Sequence, residues 1–478
     1  MPELTVRRDS AGWVTPSIPE VLDPIAEQPY DDAFVQGQIK KLVDAMNEAE
    51  VPVRVVGADP LPSHLIVALE PGTVGGLVNR RRITREEIIA KVREFDADIV
   101  DAEAISVLPS LQRAQNAVGM LIHYPAHERL PLRQILLQPA YENARSYTTI
   151  PLGITPEGVP VLRDLAALGH VWAIGSFESN PLNLLLTTLL LTHTPSQFRY
   201  ALITPEAKRA RPFAGDPHLT GPPITAPEDC PRMLALFSQE VGRRASAFEA
   251  AGVSDLDAYN ARALDMRERP LPRVVIFWEW AASWDSEGWL EPLEALLEAG
   301  SEVGVHVVIA SERMDDVPQA AQVWLNGSLI ARDALEIFPE EEIGSLPLPF
   351  LDAVLLVGEE ALESVQLCAA PAPQLDRLLD YWREAVKKRT ASQQRGEPQT
   401  RTAPAAAQQV DVFQQILDQS RALAAYLGWL GPGALRDILR LDEAVADDVI
   451  TTLTDEGLLA ESTSPVKRYV NPHRRSEA

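Results

Sequence analysis

The stretch GHVWAIGSFESNPLNLLLTTLLLTHTPSQFRYALIT, residues 169–204, decides the fold. It opens on an apolar run, His170–Ile174, of the length of a buried strand. A polar break follows at Gly175–Asn180, then Leu182–Leu191 as an apolar helix, then a second strand-like run at Phe198–Ile203. Strand, helix and strand at this spacing predict a crossover unit, whose two strands run parallel. The pattern repeats outward. Cys230–Ala251 reads as a long helix, Arg273–Phe277 as a buried strand, Gly288–Ala299 as a helix and Val305–Ala310 as another buried strand; Ser328–Ala331 and Ala353–Val357 complete the set. The expected fold is α/β, with a mainly parallel sheet covered on both faces.

Residues 1–35 are Pro-rich and read as an irregular N-terminal segment. Residues 36–140 read as a small α+β domain. It has a helix over Gln36–Ala49, strands at Val51–Val56 and Ser63–Leu69, and a helix over Thr84–Phe95 opened by a Thr84/Glu87 capping box. Ile99–Val107 and Gly119–Tyr124 alternate like further strands. The α/β core occupies 141–385, and 386–410, rich in Ala, Gln, Thr and Arg, reads as a flexible linker. In 411–478, helices at Asp411–Leu427, Pro432–Leu439 and Glu443–Glu456 precede a hairpin of Leu458–Ala460 with Arg468–Val470, the pattern of a winged helix.

Composition bounds the function. The chain has 478 residues, with 43 Lys+Arg against 68 Asp+Glu and a formal net charge of −25. That argues against a protein coated in basic surface but leaves room for a local basic channel. Two cysteines far apart, with no histidine at ligand spacing, give neither a disulfide framework nor a metal site. The N-terminus has no apolar signal region, and the longest uncharged stretch, Ser179–Gln197, suits a buried helix better than a membrane span. A cytoplasmic protein is expected.

Several motifs, in order, carry a family resemblance. Gly175 ends a strand where P-loop motors begin their phosphate loop, and Thr194-Pro195 precedes the next strand. EVGRRASAFEAA (240–251) is followed by Gly252-Val253 and by Tyr259-Asn260. RVVIFWEWAASW (273–284) stands in the Walker B place, and GVHVVIASER (304–313) in the place of a sensor strand. Over about residues 36–475 the chain resembles the FtsK/SpoIIIE-type DNA translocases. The resemblance implies a RecA-like P-loop NTPase core, a ring of like subunits, double-stranded DNA as substrate and Mg-ATP as cofactor.

The departures from that pattern concern the nucleotide. A phosphate loop G-x-x-x-x-G-K-[ST] uses backbone N–H groups, a lysine and a Mg²⁺-binding hydroxyl. Counted forward from Gly175, the Lys and Ser/Thr positions fall on Pro181 and Leu182; counted back from Thr194-Pro195, they fall on Glu178 and Ser179. The metal-ordering Asp of Walker B is Trp278, while the base position survives as Glu279. The sensor Gln is Glu312, with Arg313 kept. Trp278, Trp280 and Trp284 are expected to fill the volume a nucleotide and metal would take. Arg243 and Arg244 read either as a solvated helix face or as a contact to a neighbouring subunit's nucleotide. Arg80–Arg82 and Lys208–Arg211 are basic runs, open to phosphates or to solvent.

The expected recognition helix of the winged helix, 443–456, carries Glu443, Asp447, Asp448, Asp455 and Glu456 and no Lys, Arg, Asn or Gln. Protein contact is favoured over base reading, and only Lys467, Arg468 and Arg474 near the wing and tail are candidates for DNA. The favoured function is a degenerate translocase relative, a non-hydrolysing scaffold or inactive subunit of a DNA-handling assembly. No cofactor is expected unless the family function is kept, in which case it is Mg-ATP. Partners are further copies or an intact motor in a ring. The alternatives are an active ATP-dependent double-stranded DNA translocase and an ATP-independent DNA-binding regulator.

Overall fold

The computed structural model describes residues 8–394 apart from 10, 26–30, 62–63, 76–78, 124–128, 145, 178–179, 266–268, 285–287, 340–342, 344–345, 347–351 and 359–361; beyond these it describes 420–421, 429–430, 432, 435, 443–455, 459 and 468–469. The chain divides into two units, Met1–Arg389 and Thr390–Ala478.

The first unit contains a two-stranded ribbon, in which Thr73–Val74 pair antiparallel with Arg81–Arg82, and two larger sheets. The smaller is antiparallel, built from β1 (Val53–Pro60), β2 (His64–Pro71), β3 (Ala104–Leu108) and β4 (Val118–His123) in the order β1-β2-β4-β3. Helices α1 (Asp32–Glu48) and α2 (Arg85–Glu94) share its core through Leu42, Met46, Ile88 and Val92. The Thr84/Glu87 capping box forms as expected. Ile99–Val107 does not form one strand. Asp96 accepts the N–H of Asp98, a 3-10 turn spans Ala97–Val100, and Asp101 adopts φ 50°, so the strand starts only at Ala104.

The larger sheet has nine strands: β5 (Thr149–Ile154), β6 (Pro160–Asp164), β7 (Val171–Ile174), β8 (Phe198–Ile203), β9 (Arg273–Glu279), β10 (Val305–Ser311), β11 (Gly327–Ala331), β12 (Ala353–Val357) and β13 (Glu363–Leu367). Their order is β8-β9-β10-β7-β11-β12-β13-β5-β6. The first five are parallel; from β11 onward each pairing is antiparallel. The sheet is therefore mixed, because β12, expected within the parallel set, runs antiparallel to β11, and β13 and the β5–β6 hairpin continue that antiparallel half.

Helices cover both faces. On one side lie α3 (Pro181–Thr192) and α7 (Ala372–Gln394), on the other α4 (Cys230–Ala251) and α6 (Leu290–Ala299). Strand alternation feeds both: Val275 and Phe277 of β9 join the α3 side, Val274, Ile276 and Trp278 the α4 side. Leu182, Leu184–Leu186 and Leu189–Leu191 are all buried, so α3 is uncharged because it is enclosed by protein. At roughly 1.5–3 kcal/mol per buried leucine, this helix is a main support of the core. After α4 the chain turns at Gly252 (φ 66°), whose left-handed backbone explains the Gly-Val pair. Asn260, on α5 (Leu256–Asp265), then holds Leu271 at both ends: Leu271 N donates to its Oδ1 (2.8 Å) and its Nδ2 donates to Leu271 O (2.9 Å).

Two expectations about boundaries change. The described part of the N-terminal segment is packed, with Ile18, Val21 and Leu22 in the α3/α7 core. And α7 runs on to Gln394, into the stretch read as linker. No helix among the described residues is long and apolar enough to cross a membrane.

In the second unit α8 (Glu443–Asp455) buries Ala446, Val449, Ile450 and Leu453 and exposes Asp447 and Asp448. Arg468–Tyr469 pair antiparallel with Trp429–Leu430, a pairing the sequence did not suggest; of the expected partner at 458–460 only Leu459 is among the described residues. Most of the two helices expected at 411–439 lies outside the described residues.

Candidate functional site

In a sheet of this kind ligands sit beyond the carboxyl ends of the parallel strands. Here those ends bring together Gly175, Thr204, Glu279, Ser311–Arg313 and Asp333. Gly175 has φ 99° and donates its N–H to Ser311 O at 2.9 Å. A Cβ there would lie 2.7 Å from Asp333 Oδ1 and 2.9 Å from the Cβ atoms of Ala331 and Ala334, so only glycine fits. The next N–H, of Ser176, donates to both carboxylate oxygens of Asp333 at 3.1 and 3.2 Å. An internal carboxylate thus occupies the first donor of the loop.

The far end of the loop is also satisfied from within. Asn180 is the N-cap of α3, its Oδ1 accepting from Leu182 N (2.9 Å) and Asn183 N (3.4 Å), and Pro181 has no N–H to offer. A helix N-terminus binds phosphate through free N–H groups. Here the cap has taken them. Ser179, with Glu178, lies outside the described residues.

Glu279 ends β9 with its side chain only 17% exposed. Thr204 Oγ1 donates to its Oε2 at 2.5 Å, and Arg209 Nη1 donates to its Oε1 at 2.6 Å. Of the basic run 208–211, Arg209 is therefore an internal partner of the surviving base position. In the other run, Arg81 is paired bidentately with Glu87, both contacts 2.8 Å.

Trp278 is fully buried and stacks on Trp280 (centroids 5.1 Å) and Trp289 (5.0 Å). The third ring of the cluster is thus Trp289; Trp284 only borders the same core. The position that would order Mg²⁺ faces this apolar cluster. Glu312 is exposed at the end of β10. Arg313 beside it is held by Asp315, through Nε–Oδ1 at 2.8 Å and Nη2–Oδ2 at 3.1 Å. The described residues supply neither a lysine to the loop nor a carboxylate at the strand-end metal position, so they do not fit a Mg-nucleotide.

The two arginines of α4 part company. Arg243 is exposed and pairs bidentately with Glu240, both contacts 2.8 Å. Arg244 is buried. Its guanidinium donates to Glu240 Oε1 (2.7 Å), Val303 O (3.0 Å) and Pro272 O (2.8 Å). Those carbonyls precede β10 and β9, at the end of the sheet away from Gly175. Arg244 thus ties helix to strands as an internal support and is not part of a solvated helix face. Lys467 and Arg474 lie outside the described residues, and Arg468 is described only as strand backbone.

The same far edge explains the Gly-Val-His motif. Arg273 Nη1 donates to His306 Nε2 at 2.8 Å, which leaves Nδ1 to donate to Gly169 O at 2.7 Å. The ring is therefore a neutral Nδ1–H tautomer, and burial, followed by the charge of Arg273, pushes its pKa down to about 3. Sequence reasoning missed Asn180, Thr204, Arg209 and Asp333 as parts of the site. Asn180-Pro181 carried a readable cap signal; Asp333 reaches Ser176 only through the pairing of β7 with β11.

Fold and site together define a P-loop-type α/β core. The model of the FtsK/SpoIIIE family matches residues 131–325. The DNA translocase FtsK of Agrobacterium fabrum is 23% identical over 343 residues, 63% of this chain and 37% of its own length. The DNA translocase SftA of Bacillus subtilis is 27% identical over 314 residues, 63% of this chain and 31% of its own length. The chain thus spans well under half the length of these relatives. Among solved structures, the pCW3 conjugation coupling protein TcpA, in monomer form with ATPγS, overlays with a TM-score of 0.45 at 13% identity, covering 74% of this chain and 99% of that one.

Proposed function

We propose that this chain is an FtsK/SpoIIIE-type core that does not hydrolyse nucleotide and serves as a scaffold or inactive subunit in a cytoplasmic DNA-handling assembly. Its partners in this reading are further copies or an intact motor of the same family. Residues 36–140 and the winged helix at 411–478 are its accessory domains. The observation that supports the reading is the self-satisfied loop: Asn180 caps α3, Pro181 stands at its first position, and Asp333 takes the N–H of Ser176. Calorimetric titration with Mg-ATP and a non-hydrolysable analogue tests it. No heat of binding is expected up to millimolar nucleotide, and micromolar binding would sink the proposal.

A second reading, an active ATP-dependent double-stranded DNA translocase, draws on Glu279. The carboxylate keeps its place at the end of β9, held by Thr204 and Arg209. It predicts DNA-stimulated ATP hydrolysis that is lost in Glu279→Gln.

A further inference from the structure

Residues 8, 9 and 11–14 are drawn together in a small turn. Asp9 N donates to Trp13 O (3.0 Å), Gly12 N donates to Asp9 O (3.0 Å), and Trp13 N donates to Asp9 Oδ1 (2.7 Å). Gly12 sits at φ 85°, as the turn requires, and Arg8 bridges Val14. The turn presents a carboxylate and an indole from one compact piece of chain.

Both groups meet a matching surface on the α3/α7 side. Asp9 Oδ2 accepts from Thr194 Oγ1 at 2.6 Å and from Ser196 Oγ, in the turn after α3. The Trp13 ring lies edge-on to Trp382 (centroids 6.1 Å), with the Arg389 guanidinium carbon 4.3 Å from its centroid on α7. Arg389 Nη1 donates to Ala11 O at 2.5 Å and Tyr381 Oη to Val14 O at 2.9 Å. Carboxylate to hydroxyls, indole to cation and ring, and backbone carbonyls to two further donors make a recognition set for an acidic-aromatic peptide.

The attachment is uneven along the segment. Ile18, Val21 and Leu22 are only 1–3% exposed and belong to the core. Asp9, Trp13 and Val14 are half-buried: polar contacts hold Asp9 and Val14, and Trp13 packs against that core from outside it. We propose that Thr194, Ser196, Tyr381, Trp382 and Arg389 form a peptide-docking site for an Asp-x-x-x-Trp segment. In the resting chain residues 9–13 fill it as a releasable latch, while 18–22 stay anchored. Opening the latch frees the last turns of α7, the helix that leads out of the first unit.

The test uses the full chain. An Asp9→Ala, Trp13→Ala double variant has an empty site and is titrated with a labelled peptide of residues 8–16. The double variant is expected to bind the peptide at least tenfold more tightly than the wild type, whose site is filled in cis. A peptide carrying the same two substitutions is expected not to bind. Equal binding by variant and wild type, or equal binding of the two peptides, overturns the proposal. Amide exchange in the single variant Trp13→Ala provides a second measurement. About tenfold faster exchange is expected over residues 381–389, with β9 and β10 unchanged. Unchanged exchange in α7, or equal acceleration in β9 and β10, would make the turn an ordinary piece of core and would equally overturn the proposal.

Discussion

Lowering the pH from 8 to 5 strikes three buried histidines that the fold keeps neutral. His306 is pushed down to about 3 by burial and by Arg273; His170 and His64 are pushed to about 4, chiefly by burial. The unfolded value is about 6.5. Between those limits the unfolded chain takes up protons that the folded chain refuses. The stability they contribute is therefore complete above pH 6.5 and is lost as the pH falls toward 4 and 3. At pH 5 the linkage comes to about 2 kcal/mol for each group, or about 6 kcal/mol together, comparable with the whole stability of a domain. His306→Gln isolates one share, since its amide can accept from Arg273 and donate to Gly169 O but cannot titrate. The drop in melting temperature between pH 8 and pH 5, measured by scanning calorimetry at fixed ionic strength, should be about 4 °C smaller in the variant. An equal drop in both proteins would show that His306 is not held neutral and would refute the reasoning.

Two contrasts test the supports of the site. Arg244→Ala strips donors from Val303 O and Pro272 O and leaves Glu240 short of a partner, so it should cost about 3–5 kcal/mol, while Arg243→Ala should stay within about 0.5 kcal/mol. Thermal melting of the pair separates them, and equal losses would refute the assignment of Arg244 as the internal member. Gly175→Ala forces a Cβ to 2.7 Å from Asp333 Oδ1 at φ 99° and should destabilise by roughly 2 kcal/mol by the same measurement. An unchanged melting temperature would mean that the Gly175–Asp333 contact does not shape the loop.

The parallel half of the large sheet was legible because its strands are continuous apolar runs. His170–Ile174, Arg273–Phe277 and Val305–Ala310 can only be buried on both faces, and helices fall between them. The antiparallel half was harder. The β5–β6 hairpin and β13 are short, and β13 joins β5 across more than two hundred residues. Ile99–Val107 misled because a 3-10 turn, capped by Asp96 just before the stretch and ended by Asp101 within it, takes up its first residues. At the site, Pro181 and Trp278 were readable as departures from the motif, one position at a time. The partners around them were not, because Asp333 and Arg209 act across strand pairings on residues remote in sequence. The Arg243-Arg244 pair shows the same limit: adjacent, identical side chains differ in role because one α-helical step carries Arg244 into the groove above β9 and β10.

A nucleotide site gains affinity by leaving its donors unsatisfied until the ligand arrives. In the proposed reading this loop has reversed that logic. Binding a triphosphate at α3 would first require the Asn180 cap to open, at about 1 kcal/mol. Ser176 N would have to leave Asp333, and Glu279 would have to give up a half-exposed pair with Arg209, each at about 0.5–1 kcal/mol. Together these cost about 2–3 kcal/mol, a 30- to 150-fold weakening before the missing lysine is counted. The same bonds stiffen the carboxyl end of the sheet, since Asp333 links β11 to the turn after β7 and Arg209 links the segment after β8 to the end of β9. A motor needs that end to respond to its ligand, whereas a scaffold needs it to stay put. Calorimetry that found micromolar Mg-ATP binding would therefore mean that these internal bonds open at little cost, and would return the loop to the motors it resembles.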